Sequence, residues 1–241
     1  KTDAFVRSLL HIDAKDLKFT DEKDGSKKAV IDVLAMSFGD NGQIVDQLAK
    51  SYSIILKPEA YRKAIADGFV YQFAFPVKKP GAYQYRVAIR DMQGGKVGSA
   101  SQFIEVPNLK KNRLSVSSIV LENLTQRSSA LSDTALRRVK AGSLLGYNYV
   151  IYNTKLNSSK QAQVQTKIRV FRDGQLVLDG KQKPLTLRGQ TDMRHLKARG
   201  GLEIGDKFMS GDYILQVIVT DELVNGKQKL ATQFVQFEIV E

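Results

Sequence analysis

Cysteine is absent from the 241 residues, and histidine occurs only twice. No disulfide framework and no thiolate metal site can therefore form, and two histidines cannot complete an ordinary structural zinc site. The chain has no G-x-S-x-G elbow and no G-x-x-x-x-G-K-S/T phosphate loop. His11 stands in a strand pattern and His195 in the basic stretch MRHLKAR, so both read as surface or core-edge residues rather than catalytic bases. Long apolar runs are missing too. The longest, AVIDVLAM and YILQVIVT, are strand-sized and fall short of the roughly 18 residues a membrane-spanning helix needs. No leader pattern opens the chain, which starts in mid-phrase at KTDAFVRSLL and reads as a mature fragment or a piece of something longer. Absent cysteine fits a cytoplasm and a disulfide-free bacterial envelope equally well.

Charge is present in excess of one sign. Residues 1–107 hold 16 Lys/Arg against 13 Asp/Glu (+3), and the other 134 hold 21 against 12 (+9). A basic second half could draw anionic partners, but basic and acidic residues are interspersed as on an ordinary solvated surface. Aromatics do not accompany the basic clusters at 110–113, 137–140 and 194–199, which argues against nucleic acid as a partner. Calcium is conceivable at DEKDG (21–25) or GDNG (39–42), although neither matches the D-x-D-x-D-G loop and turns collect Asp and Asn for backbone reasons. A paired-carboxylate glycosidase site has no distinguishing signal among 25 acids. No cofactor is expected.

What the chain does contain is a duplication with a period near 131 residues. FGDNGQIVD from Phe38 returns as FRDGQLVLD from Phe171, PEAYRKAIADG (58–68) as DMRHLKARGG (192–201), GAYQYRVAIRD (81–91) as GDYILQVIVTD (211–221), and ASQF (100–103) as ATQF (231–234). GDNG and RDG, set between apolar alternations, predict hairpin turns. Pro58 and Gly68 bracket a short helix in the first copy, with a helical counterpart expected at 192–201. Short strands with turn signals and no βαβ rhythm predict β-sandwiches.

In an immunoglobulin-like fold, a tyrosine near the start of strand F bonds back to backbone at the preceding corner. Tyr83 and Tyr213 hold that position, followed two residues on by Tyr85 and Leu215 where antibodies carry cysteine. The expected fold class is all-β: two tandem immunoglobulin/fibronectin-III-like sandwiches, each with a short helical turn before the penultimate strands. The domains would be 1–107 and 114–241, joined by a short basic linker at 108–113. The second copy shows two strands before its hairpin (114–121 and 146–153) and the first only one (4–13), so the first domain's opening strand is expected upstream of Lys1. Residues 122–141, ENLTQRSSALSDTALRRVKA, read as a long exposed loop. With Arg127, Arg137, Arg138 and Lys140 they form the candidate interaction site.

The stretches FTDEKDGSKKAVIDVLAMSFGDNGQIVDQ and PVKKPGAYQYRVAIRD…VGSASQFIEVPNLKKNRL, continued by YVIYNTKL, FRDGQLV and ATQFVQFEIV, resemble the C-terminal region of the VWFA-related proteins of acidobacteria. The resemblance runs over nearly the whole chain. It implies a von Willebrand factor A domain upstream as a partner in the full-length protein, an unknown envelope or extracellular protein as a further partner, and a secreted or envelope location. The metal-dependent D-x-S-x-S motif of the A domain is absent from this chain, and no catalytic residue carries over. The reading that follows is a non-enzymatic spacer and protein-interaction or adhesion module. A module binding acidic glycans through the basic second half is the alternative.

Overall fold

A computed structural model describes residues 4–77, 79–125 and 131–241. The chain divides into two compact units, Lys1–Val106 and Pro107–Glu241. The basic segment 108–113 is part of the second unit rather than a free connector. It forms a 3-10 turn, Leu109–Lys111, started by the Asn108 side chain accepting from the Lys110 N–H. Asn153 Nδ2 donates to the carbonyls of Leu109 and Arg113, which ties the turn to that unit.

Among its described residues the first unit holds seven strands: β1 (Ala4–Ile12), β2 (Thr20–Asp21), β3 (Lys27–Phe38), β4 (Ile44–Leu56), β5 (Phe69–Val77), β6 (Gly81–Asp91) and β7 (Val97–Val106). One sheet runs β4-β3-β6-β7, with the short β2 also on β3, and β1 pairs with β5 in the other. Period-two alternation builds the core between them. Ile31, Val33 and Ala35 of β3 and Tyr83, Tyr85 and Val87 of β6 face Phe73, Phe75 and Val77 of β5. Between β4 and β5 lies α1 (Pro58–Asp67). Pro58 sits at its start, where an N–H would be unpaired anyway, and Gly68 ends it at φ +69.

The second unit holds β8 (Ser115–Val116), β9 (Val120–Asn123), α2 (Leu131–Leu136), β10 (Arg138–Lys140), β11 (Leu144–Tyr152), β12 (Val164–Arg172), β13 (Gln175–Asp179), β14 (Lys183–Pro184), β15 (His195–Glu203), β16 (Gly211–Asp221) and β17 (Leu230–Val240). One sheet is β10-β17-β16-β12-β13, with β14 also on β12. The other is β15-β11 with β8 and β9 on the far side of β11. Both units are immunoglobulin-like sandwiches, and the all-β expectation holds.

The duplication extends to irregularities. The β3–β4 and β12–β13 hairpins each break register at the phenylalanine before the turn, between Ser37 and Phe38 and between Val170 and Phe171. Asp173 (φ 50) and Gly174 (φ 77) make the two-residue turn that left-handed backbone permits.

Three expectations need correction. Residues 192–201 are not helical. His195–Glu203 is the strand β15, because Leu196, Ala198 and Leu202 bury at even spacing against β11 while the residues between them face out. The helix of the second unit, α2, lies between β9 and β10 instead. Residues 122–141 are not one exposed loop either. Asn123 is buried at the end of β9, Leu131–Leu136 is α2, and β10 pairs in parallel with β17 with Val139 buried in the core. Finally, ASQF and ATQF are not register equivalents: Phe103 pairs with Gln84, whereas Phe234 pairs with Gln216. The turn before β17 is longer than the turn before β7, and the extra residues displace the strand by two positions without changing its faces.

Candidate functional site

The two tyrosines do the same thing in both units. The Tyr83 hydroxyl donates to the Lys79 carbonyl at 2.7 Å, and the Tyr213 hydroxyl donates to the Met209 carbonyl at 2.8 Å. Burial, followed by the Asp46 charge, pushes the Tyr83 phenol above its ordinary pKa, so the hydroxyl stays protonated and able to donate. The Arg172 guanidinium lies over the Tyr213 ring, 5.5 Å from its centroid, and donates to the Ser210 carbonyl. These bonds lock the corner before β6 and before β16.

The aspartate ending each of those strands had no role assigned from sequence, and it is the second duplicated device. Asp91 is 2% exposed and Asp221 is fully buried. Asp91 Oδ2 accepts from the backbone N–H groups of Lys18 (2.9 Å) and Gly94 (2.8 Å), and Oδ1 from Gln93. Asp221 Oδ2 accepts from Lys155 N–H (2.7 Å) and Oδ1 from Leu223 N–H (3.0 Å). Each carboxylate stitches its own turn to the loop after the matching strand of the other sheet, β1 in the first unit and β11 in the second. Backbone donors compensate its burial. The only signal in the sequence was the matching Asp at the two strand ends.

The histidines are structural in geometry. His11 Nε2 lies 3.0 Å from the Asp67 carbonyl at the end of α1. His195 Nδ1 lies 2.5 Å from Asp192 Oδ2 at the exposed start of β15, and that contact holds the Asp192 carboxyl below the usual carboxylate range. At the two calcium candidates, Asp24 accepts from the Ser26 N–H and hydroxyl, Asp21 pairs with Lys27, and Asn41 accepts from Gln43 N–H. Among the described residues no three His, Asp or Glu converge.

Of the candidate interaction residues, Arg127 lies outside the described residues. Arg137 is half-buried with φ 55, and its carbonyl accepts from Glu238 N–H. Arg138 and Lys140 point outward from β10 on either side of Val139, and Arg138 Nε pairs with Glu238 at 2.8 Å. These two cations therefore sit on an edge strand of the sheet, not on a loose loop.

A groove opens at one side of the first unit. With a volume of about 460 Å³, it runs between the end of β1 and the start of β7, with Leu10, Ile12, Leu17, Val87, Ile89 and Val97 among its walls. The Asp16–Lys96 ion pair (2.8 Å) lies along it. Among the described residues β1 pairs only with β5, and β7 only with β6.

No protein-family model matches the chain, and no curated protein does. Among solved structures it is similar to Bacteroides uniformis β-glucuronidase 2 covalently bound to cyclophellitol-6-carboxylate aziridine, at 12% identity and a TM-score of 0.35. A glycosyl hydrolase family 2 member from Bacteroides cellulosilyticus stands at 14% and 0.35, and a tetra-tandem repeat from the extending region of a large adhesion protein at 9% and 0.28. The matches cover 96%, 97% and 98% of this chain but only 26%, 26% and 50% of the glucuronidase, the family 2 enzyme and the adhesion repeat. At these scores neither the enzymes' chemistry nor the adhesin's role transfers to this chain.

Proposed function

We propose that this chain is the non-catalytic tandem immunoglobulin-like region of a larger exported, VWFA-related bacterial protein, serving as spacer and protein-interaction or adhesion module. One observation carries the reading: in both units the buried polar groups are spent on the scaffold. Tyr83 and Tyr213 hold corners, and Asp91 and Asp221 hold loops across the sandwich. A unit stiffened twice in the same way suits a separating and load-bearing role. The partner contact is assigned to the β10 edge, where Arg138 and Lys140 project outward. The glycan alternative calls for an exposed row of tyrosines beside basic residues. All nine tyrosines are buried or half-buried, so nothing favours it.

The test is retention of envelope proteins by the immobilised chain, compared with a double variant, Arg138→Glu and Lys140→Glu. The expected result is a specific protein retained by the parent chain and lost by the variant, with both showing the same thermal midpoint. Equal retention by the two would remove the β10 edge from the reading. Hydrolysis of a glycoside by the purified chain, abolished by Asp192→Asn, would overturn its non-catalytic part.

A further inference from the structure

The two units are copies, yet two strand positions filled in the second, beside β11 and beside β17, are open in the first among the described residues. In the second unit β11 is flanked by β15 on one side and by β8 and β9 on the other. β8 lies beside β17 as well, so it closes the gap between the sheets. From this segment Val116, Ile119 and Leu121 enter the core at 4–6% exposure. In the first unit β1 corresponds to β11 and β7 to β17, and the gap between them is the apolar groove described above.

Matched positions show the consequence. Val219, Phe237 and Ile239 are 0–2% exposed, whereas their counterparts Ile89, Ile104 and Val106 are only partly buried. Leu10, on β1 itself, is partly buried too. An unpaired strand edge beside uncovered aliphatic side chains is the arrangement that strand addition completes, with backbone hydrogen bonds supplying affinity and alternate side chains supplying fit.

We propose that the first unit is a strand acceptor. Its groove takes an extended segment antiparallel to β1, with aliphatic side chains at alternating positions directed onto Leu10 and Ile89. The segment comes from the same polypeptide on the N-terminal side of β1, as β8 and β9 precede β11 in the duplicate. This concerns the first unit alone and stands whether or not β10 contacts a partner.

The probe is the second unit's own segment, LSVSSIVLEN (residues 114–123), fused ahead of the full 241-residue chain through a Gly/Ser linker about as long as the segment between β9 and β11. Hydrogen exchange is followed by mass spectrometry, with the untouched β11 and β17 as internal references. The expected result is a monomer in which β1 peptides exchange on the order of tenfold more slowly than in the unextended chain. The same extension with its copied Val116, Ile119 and Leu121 all replaced by serine should give no protection. Unchanged exchange in the fusion would overturn the proposal. So would β1 peptides in the unextended chain already as slow as those of β11. Protection that appears only in a dimer would show that a second copy supplies the strand, and would overturn the same-chain assignment.

Discussion

The Asp221 carboxylate accepts a hydrogen bond from the backbone N–H of Lys155 at 2.7 Å, across 66 residues of chain. Asp91 makes the same bond to Lys18 at 2.9 Å, across 73. A buried charge held by backbone donors stabilises strongly while its partners remain, and removing it strands those donors in the interior. Asp221→Ala should therefore cost about 2–3 kcal/mol and Asp91→Ala a similar amount, read as a lower urea midpoint at unchanged slope. A loss near zero in either would show that the carboxylate does not carry the join.

Removing only the hydroxyl isolates the corner. Tyr83→Phe and Tyr213→Phe keep the packed ring but leave the carbonyls of Lys79 and Met209 without their donor. Tyr83→Phe should lower stability by about 1 kcal/mol, since one neutral hydrogen bond is lost and no cavity is made, and Tyr213→Phe by somewhat more, because the Arg172 Nη1 donor at 3.4 Å loses its acceptor as well. Equilibrium unfolding of the two single variants and the double should give additive losses, because the corners lie in separate units.

Gly68 is required twice, by its φ of +69 and by the His11 ring and the Ile12 carbonyl, both of which an added Cβ would run into. Gly68→Ala should destabilise by more than the ~1 kcal/mol of a left-handed backbone alone. Combining it with His11→Ala should return the part due to the ring, but not the part due to the Ile12 carbonyl or to the backbone conformation. A strictly additive double variant would contradict the close approach.

Asp179 is held below the ordinary carboxylate pKa, first by Lys167 and then by Arg169. A depressed carboxylate contributes stability that is present above its unfolded pKa and lost as pH falls through the lowered folded value. The group is exposed, so the contribution is screened and its signature is the titration itself. Carboxyl carbon shifts should report an Asp179 midpoint below about 3.9 that rises in Lys167→Ala and rises less in Arg169→Ala. Equal midpoints in all three proteins would refute the pairing.

The legible features are those written in local spacing. Alternation along GAYQYRVAIRD and GDYILQVIVTD names the buried faces of β6 and β16, and GDNG and RDG place the turns, because side-chain period and left-handed turn residues are properties of a few neighbouring positions. DMRHLKARGG misleads for the same reason. Its polar and apolar residues suit a helical stripe as well as a strand, and only pairing with β11 decides that Leu196 and Ala198 point inward. RRVK reads as a basic cluster in a loop, and only β17 makes it a strand with Val139 turned into the core.

By itself, then, the sequence determined that this protein is a doubled, disulfide-free β-sandwich with tyrosines at matching corners. Repetition, residue absence and period-two patterning survive without knowledge of what lies across the core. The tertiary structure alone decided what Asp91 and Asp221 hold, which strands have two neighbours and which have one, and where the groove of the first unit opens. Each of these depends on groups brought together from dozens of residues apart, and a linear pattern carries no record of that approach.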